Sequence, residues 1–294
     1  MKTTQLLEFE KKLSILNDRY AHYLFVWDQF NIQNENLFNN IPDKLTTEIF
    51  PENISSKQFN VKIDYLVKSH EETQNFILNS LFILSYSIFE RYLIEVHKFA
   101  KSLDDSILEL NQKLENLDNA SDDTEDNVTF DKFINRLNLD IDKIDNEEKY
   151  TLDYIRLRRN RIIHDSLSTQ GKILNIISHH GTKLNRYWDN NLRKGRYKID
   201  FSLKDISTFD KLELFDLLNI IRKFTLKVDT LVTNRIGEDL LLKFMLSEFL
   251  KGHQTKIKNL KIERIKKKFL NYCQTKYSYN IDISKINESD FKVT

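Results

Sequence analysis

A fixed cation, an amide and a titratable imidazole lie within six consecutive residues of this chain, Arg159-Asn160-Arg161-Ile162-Ile163-His164. A guanidinium can hold a phosphate by two parallel hydrogen bonds. An imidazole near its ordinary pKa can move the proton of a 2′-hydroxyl or of a leaving 5′-oxygen. Arg159, Asn160 and His164 therefore have the chemistry needed to cut RNA, and that chemistry requires neither a metal ion nor another cofactor.

This stretch resembles the R-x4-6-H signature of the HEPN superfamily, the higher eukaryotes and prokaryotes nucleotide-binding domain. Residues 159–164 carry the match, and the long helix predicted over 76–100 resembles the core helix of such domains. The resemblance implies a metal-independent endoribonuclease of the toxin or abortive-infection type, with Arg159 and His164 as the catalytic pair and Asn160 as the polar residue after the arginine. Ser166 stands where one subtype has a tyrosine, so the chemistry tied to that tyrosine is not carried over.

Composition predicts an all-α fold. Only five Gly and two Pro occur in 294 residues, which leaves few strand or turn signals, and 40% hydrophobic residues suffice for a core. The single cysteine, Cys273, excludes an internal disulfide and a thiolate metal cluster and is typical of a reducing cytosol. The N-terminus lacks the apolar core of a signal peptide, and the apolar run over 76–89 is too short for a bilayer. We expect a soluble, cytoplasmic protein that does not engage a membrane.

The net charge of +1 conceals an uneven distribution. Residues 104–148 are rich in Asp and Glu, whereas residues 251–276 are rich in Lys and Arg and contain a single acid, Glu263. Such asymmetry indicates a polyanion-binding surface near the C-terminus, with Lys266, Lys267 and Lys268 as candidate RNA contacts. The alternative is a lysine-rich helix face that is simply solvated.

Hydrophobic periodicity in the first half of the chain predicts a helix from Thr3 or Thr4 to about residue 30, an Asn-rich loop over 31–60 with at most one short helix, and a central helix over 65–102. A shorter helix over 106–117 is expected to lead into an acidic loop over 118–127, the best candidate for disorder. Another helix is predicted over 130–139.

The second half is predicted to begin with the helix that carries the motif, over 146–166. An irregular segment punctuated by Gly171, Gly181 and Gly195 should follow, and then a helix over 210–234 that Asp210 caps and Gly237 ends. Two further helices are expected over 238–250 and 257–277. The predicted organisation is a helical bundle of HEPN type over 61–236, an N-terminal helix and loop over 1–60 that pack on it, and a basic C-terminal helical extension over 237–294.

A helical wheel places Arg159 on the apolar arc of the motif helix, which is formed by Leu152, Ile155, Ile162 and Ile163. A buried guanidinium needs a polar partner, which could be Glu90 of the central helix or a second copy of the same face. His164 lies roughly 140° around the axis from Arg159, on the side of Asn160 and Asp153. Asn160 can therefore orient the imidazole.

This divergence favours a dimer, because one straight helix does not readily aim both side chains at one phosphate. A twofold homodimer could bring two motif helices together and build a composite active site, and the resemblance implies the same arrangement. It also implies an antitoxin or another regulatory partner. We expect RNA as the substrate, with phosphate-facing charge from Arg156, Arg158 and Arg161, and with Glu90 and Asp153 as possible supports of the site. Simple solvation of these three arginines is the alternative.

Other interpretations stay open. An arginine in an apolar stripe is commonly the anchor of a structural ion pair. His179 and His180 have no acids or cysteines at ligand spacing, so a pair in a loop is favoured over a metal site. Two functions of different classes fit the sequence: a metal-independent endoribonuclease, and a non-catalytic helical module for RNA binding or protein assembly.

Overall fold

The computed structural model describes residues 1–111, 129–164, 167–204, 206, 209–258, 260–282, 284 and 286–291, and the description below is of these residues. They form nine α-helices and no β-strand, so the predicted all-α fold is confirmed. Short 3₁₀ helices occur at Ile54–Lys57, Ile141–Lys143 and Glu288–Phe291. The α-helices are α1 Thr4–Asn40, α2 Thr46–Ile49, α3 Ile63–Leu103, α4 Thr129–Leu137, α5 Asn146–His164, α6 Leu167–Asn191, α7 Glu213–Ile236, α8 Glu238–Ile257 and α9 Ile262–Tyr277.

The helix ends near the N-terminus agree in part with those predicted from the sequence. The hydroxyl of Thr3 accepts a hydrogen bond from the N–H of Leu6 at 3.1 Å, which confirms the predicted cap of α1. The predicted loop over 31–60 is wrong at its start, because α1 continues to Asn40. Residues 106–111 form turns and irregular chain rather than the expected helix, and residues 112–117 and the acidic loop lie outside the described residues.

The first part of the glycine-punctuated segment is helical, contrary to the prediction, whereas Gly195 lies in non-helical chain after α6, as expected. Gly171 and Gly181 both lie within α6, and Gly252, where a break was expected, lies within α8. Gly181 is required for packing rather than for a turn, since a Cβ at this position would approach the carbonyl oxygen of Phe201 to 2.6 Å. Gly237 does end α7, and its positive φ of 87° is a conformation that glycine adopts without strain.

The chain divides into two compact units, each built from segments that are distant in sequence. The first unit comprises Met1–Lys12, Ser87–Glu148 and Ile221–Thr294. At its centre the buried carboxylate of Asp229 accepts hydrogen bonds from the backbone N–H of Thr3 at 3.0 Å and from the hydroxyl of Tyr92 at 3.0 Å. Burial raises the pKa of this carboxyl above its ordinary value.

The second unit comprises Leu13–Tyr86 and Lys149–Ile220 and contains the motif residues. Its core includes Trp188, whose indole N–H donates to the hydroxyl of Thr151 on α5 at 2.8 Å. The ring of Tyr20 packs on Phe215 with centroids 5.3 Å apart, and its hydroxyl donates to the carbonyl of Lys211. These contacts join α1, α5, α6 and the first turns of α7 within this unit.

Among the described residues, one helix is long and apolar enough to cross a membrane by length and composition. This helix is α3, whose 18-residue window has a mean hydropathy of 1.2 and is 39% buried inside the protein. The apolar run over 76–89, which is by itself too short for a bilayer, lies within its 41 residues. The core helix of a soluble protein meets the same criteria, so α3 is weak evidence for a membrane span.

Two glycines on α6 provide a matched test of this packing. Gly181→Ala should lower the free energy of unfolding by about 1–3 kcal/mol, because its Cβ meets backbone atoms of Phe201 and Ser202 that cannot rotate away. Gly171→Ala has open space around the new Cβ and should raise it by about 0.5–1 kcal/mol through helix propensity. Urea denaturation of both variants measures the difference, and equal effects would contradict the close approach at Gly181.

Candidate functional site

The candidate site lies on the second half of α5, which is a continuous helix through His164. The Nη1 of Arg159 donates to the Oδ1 of Asn160 at 2.9 Å, and both side chains are half-buried. Arg159 forms no ion pair with a described residue. Among the described residues, the guanidinium is therefore held by a neutral amide rather than by a carboxylate.

His164 is the last residue of α5, and its side chain lies outside the described part of the structure. The backbone position alone fixes how the two motif residues diverge. Five residues of regular helix rotate by roughly 140° and advance by roughly 7.5 Å, so positions 159 and 164 lie on different faces of α5.

Arg158 corrects one prediction. It was expected to add phosphate-facing charge, but its side chain is 2% exposed and forms an ion pair with Glu213 of α7. The Nη1 of Arg158 also donates to the hydroxyl of Tyr154 at 3.1 Å, and its guanidinium lies 3.7 Å from the centre of the Phe209 ring. A buried arginine with a partner such as a carboxylate was expected at position 159. The structure has it at the neighbouring position instead, where Arg158 serves as a structural anchor.

Local capping explains why Glu213 is available to Arg158. The carboxylate of Asp210 accepts the N–H of Leu212 at 2.8 Å, and Glu213 accepts the N–H of Asp210 at 3.3 Å, an arrangement typical of a capping box. The predicted cap at Asp210 is confirmed. The partnership with Arg158 spans 55 residues, and no local pattern in the sequence indicates it. Burial raises the pKa of Tyr154, so its phenol stays neutral beside the ion pair.

The other predicted arginines differ in exposure. Arg156 is 13% exposed, and its Nη2 lies 3.4 Å from the Oδ1 of Asp153, so these two predicted site residues form an ion pair with each other. A mostly buried, paired side chain does not suit the phosphate-facing role expected of Arg156. Arg161 is half-buried and stays a candidate contact.

The remaining predicted residues lie in the first unit. The Nζ of Lys266 on α9 lies 3.1 Å from the carboxylate of Glu288, whereas Lys267 and Lys268 are exposed. Glu90 is half-buried on α3. These four residues belong to the first unit, whereas Arg159 and Asn160 belong to the second.

The histidine pair is part of a helix instead of the expected loop. His179 and His180 follow one another on α6, and the ring of His180 stacks on Tyr150 with centroids 3.7 Å apart. Within the described residues, no group of three or more His, Cys, Asp or Glu side chains is arranged to hold a metal ion.

Comparison with known proteins gives no relative for this chain: no protein-family model, no curated protein and no solved structure matches it. The function is therefore argued from the residues and their geometry.

The ion pair between Arg158 and Glu213 should be the main electrostatic support of the candidate site. Glu213→Gln removes the carboxylate that pairs with a buried guanidinium and should lower the free energy of unfolding by about 3 kcal/mol. Asp28→Asn is a matched control in the same unit, because Asp28 pairs with Lys211 at 3.7 Å at the surface, and should cost less than about 1 kcal/mol. Chemical denaturation measures the free energy of unfolding of both variants. Similar losses of stability in the two would show that the buried pair is dispensable.

Proposed function

We propose that this protein is a metal-independent endoribonuclease of HEPN type that acts as a toxin or an anti-phage abortive-infection effector. Arg159 binds the scissile phosphate, His164 transfers protons, and Asn160 orients the groups around them. The proposal rests on the chemistry of these three side chains and on the resemblance of residues 159–164 to the family signature.

The observation that carries the proposal is the contrast between two neighbouring arginines. Arg158 is buried, and a carboxylate neutralises it, whereas half-buried Arg159 contacts a neutral amide. A guanidinium that has no carboxylate partner among the described residues can attract an anion, and it binds phosphate in a planar, bidentate geometry. Arg159 is therefore the arginine of the motif that fits a phosphate-binding role.

The proposed reaction is transesterification within the RNA chain. A base takes the proton of the 2′-hydroxyl while its oxygen forms a bond to the adjacent phosphorus, and the bond from phosphorus to the 5′-oxygen breaks. The leaving 5′-oxygen takes up a proton, so the products are a 2′,3′-cyclic phosphate and a 5′-hydroxyl. His164 acts as the base or as the acid, and Arg159 stabilises the negative charge that gathers on the phosphoryl oxygens.

The divergence of Arg159 and His164 around α5 leads us to propose a homodimer with a composite site. In a twofold dimer the same surface meets itself, so the arginine of one protomer can face the histidine of the other. We further propose that the protein acts in the cytoplasm and that an antitoxin or another regulatory partner restrains it.

Cleavage assays test the catalytic pair directly. Labelled RNA incubated with the purified protein should be cut equally well with and without a chelator, and Arg159→Ala or His164→Ala should each lower the rate by at least about 100-fold. Arg19→Ala and His22→Ala are matched controls, since they change the same residue types at exposed positions on α1 and should leave the rate unchanged.

Two outcomes would overturn the proposal. Cleavage that a chelator abolishes would point to a metal-dependent contaminant or to another mechanism. Binding of RNA without cleavage, unaffected by either motif substitution, would favour the alternative of a non-catalytic helical RNA-binding or assembly module.

Mixing the two inactive variants tests the composite site. In a mixed dimer of Arg159→Ala and His164→Ala chains, one site combines the intact arginine of one chain with the intact histidine of the other, so part of the activity should return. Light scattering on the unmixed protein should give the mass of a dimer. A monomer, or a mixture that stays inactive although subunits exchange, would contradict the shared site.

A further inference from the structure

A short basic loop, residues 193–198, follows α6 in the second unit. It contains Arg193, Lys194, Gly195, Arg196, Tyr197 and Lys198, with four cations and no acid among six residues. Arg193, Lys194 and Lys198 are exposed and form no ion pair with a described residue. The Tyr197 ring lies beside them and is 49% exposed. The loop thus presents positive charge and an aromatic face together.

A buried carboxylate holds the backbone of this loop by hydrogen bonds. Asp216 of α7 is fully buried and accepts the N–H groups of Tyr197, Lys198 and Ile199 at 2.8–3.0 Å. Three consecutive amides bound to one carboxylate hold the chain in a single conformation. The backbone under Tyr197 and Lys198 therefore needs little further ordering on binding.

The Arg196 side chain stabilises the loop through hydrogen bonds rather than adding to its exposed charge. Its guanidinium donates to Asp189 at 2.7 Å, to the side-chain oxygen of Asn185 at 2.8 Å and to the carbonyl of Ile199. Asn185 also accepts the N–H of Phe201 at 2.9 Å, and the Phe201 ring packs on Tyr154 of α5 with centroids 5.0 Å apart. The loop is consequently anchored to the helix that carries the motif.

We propose that the basic loop binds single-stranded RNA, with Arg193, Lys194 and Lys198 on phosphates and the ring of Tyr197 stacked on a base. Exposed cations beside an aromatic ring are the combination that tracks a flexible nucleic-acid strand, because every base offers a face for stacking. The choice of RNA over other polyanions rests on the proposed function. The loop supplies binding energy away from the phosphate that reacts.

Binding assays with a catalytically inactive protein measure RNA binding by the loop without interference from cleavage. The His164→Ala protein serves as the parent, and anisotropy measures its affinity for a labelled, uridine-rich single strand of about 20 nucleotides. Replacing Arg193, Lys194 and Lys198 with Ala should weaken binding about tenfold or more and reduce the salt slope of the affinity by about 2, as expected for three lost phosphate contacts. Alanine keeps every backbone N–H that Asp216 accepts, so the loop should keep its fold.

Matched variants separate charge from stacking. Replacing Lys11, Lys12 and Arg19, three exposed cations of α1, removes the same charge and should change affinity less than about twofold. Tyr197→Ala should weaken binding about tenfold, whereas Tyr197→Phe keeps the ring and should bind as the parent does.

Several results would overturn the inference: no binding of the single strand by the parent, equal losses in both triple variants, or unchanged affinity in the loop variant. Loop-dependent binding to phosphatidylserine vesicles without loop-dependent RNA binding would assign the surface to a membrane instead. A protein that cuts RNA but binds it independently of the loop would refute this inference and leave the proposed function standing. A protein that binds through the loop but never cuts would do the reverse.

Discussion

Burying a guanidinium inside a protein is costly unless acceptors compensate its charge, and the ion pair between Arg158 and Glu213 supplies that compensation in the second unit. The pair joins the middle of α5 to the first turn of α7, and Phe209 and Tyr154 shield it from water. Once Arg158 points inward, the rotation of α5 about its axis is fixed. Arg159 and Asn160 then follow at successive steps of about 100° and come to lie half-buried at the edge of the core.

The first turn of α7 has a second acid with a comparable role. Glu213 and Asp216 are three residues apart and so lie on neighbouring positions of the helix surface. Glu213 holds the motif helix through a side chain, and Asp216 holds the basic loop through three backbone N–H groups. Carboxylates are favoured at the amino end of a helix because its unpaired N–H groups carry partial positive charge. One turn of helix therefore positions both the candidate catalytic arginine and the candidate RNA-binding loop.

Burial also explains how a chain with a net charge of +1 can present a positive surface. In the second unit, Glu213 and Asp216 are buried and satisfied by internal donors, whereas Arg193, Lys194 and Lys198 stay exposed. An ion pair inside the unit contributes little to the field outside it, so Glu213, which Arg158 compensates, takes little away from the positive potential of the exposed cations. Counting charges along the sequence does not separate these two groups.

The sequence by itself determined the helical class, the central helix, the motif helix, the cap at Asp210 and the break at Gly237, because these depend on local spacing and on the conformational preferences of single residues. It also predicted that Arg159, in the apolar stripe of α5, would need a polar partner. Tertiary structure decided that the buried arginine with a carboxylate partner is the neighbouring Arg158, since the partner lies 55 residues away and its position depends on how α7 packs. Tertiary contacts likewise made Gly181 a point of close approach inside α6 instead of a turn, and they gave the basic loop its fixed backbone through Asp216. Local patterns carry no information about such distant partners, so only the folded chain specifies them.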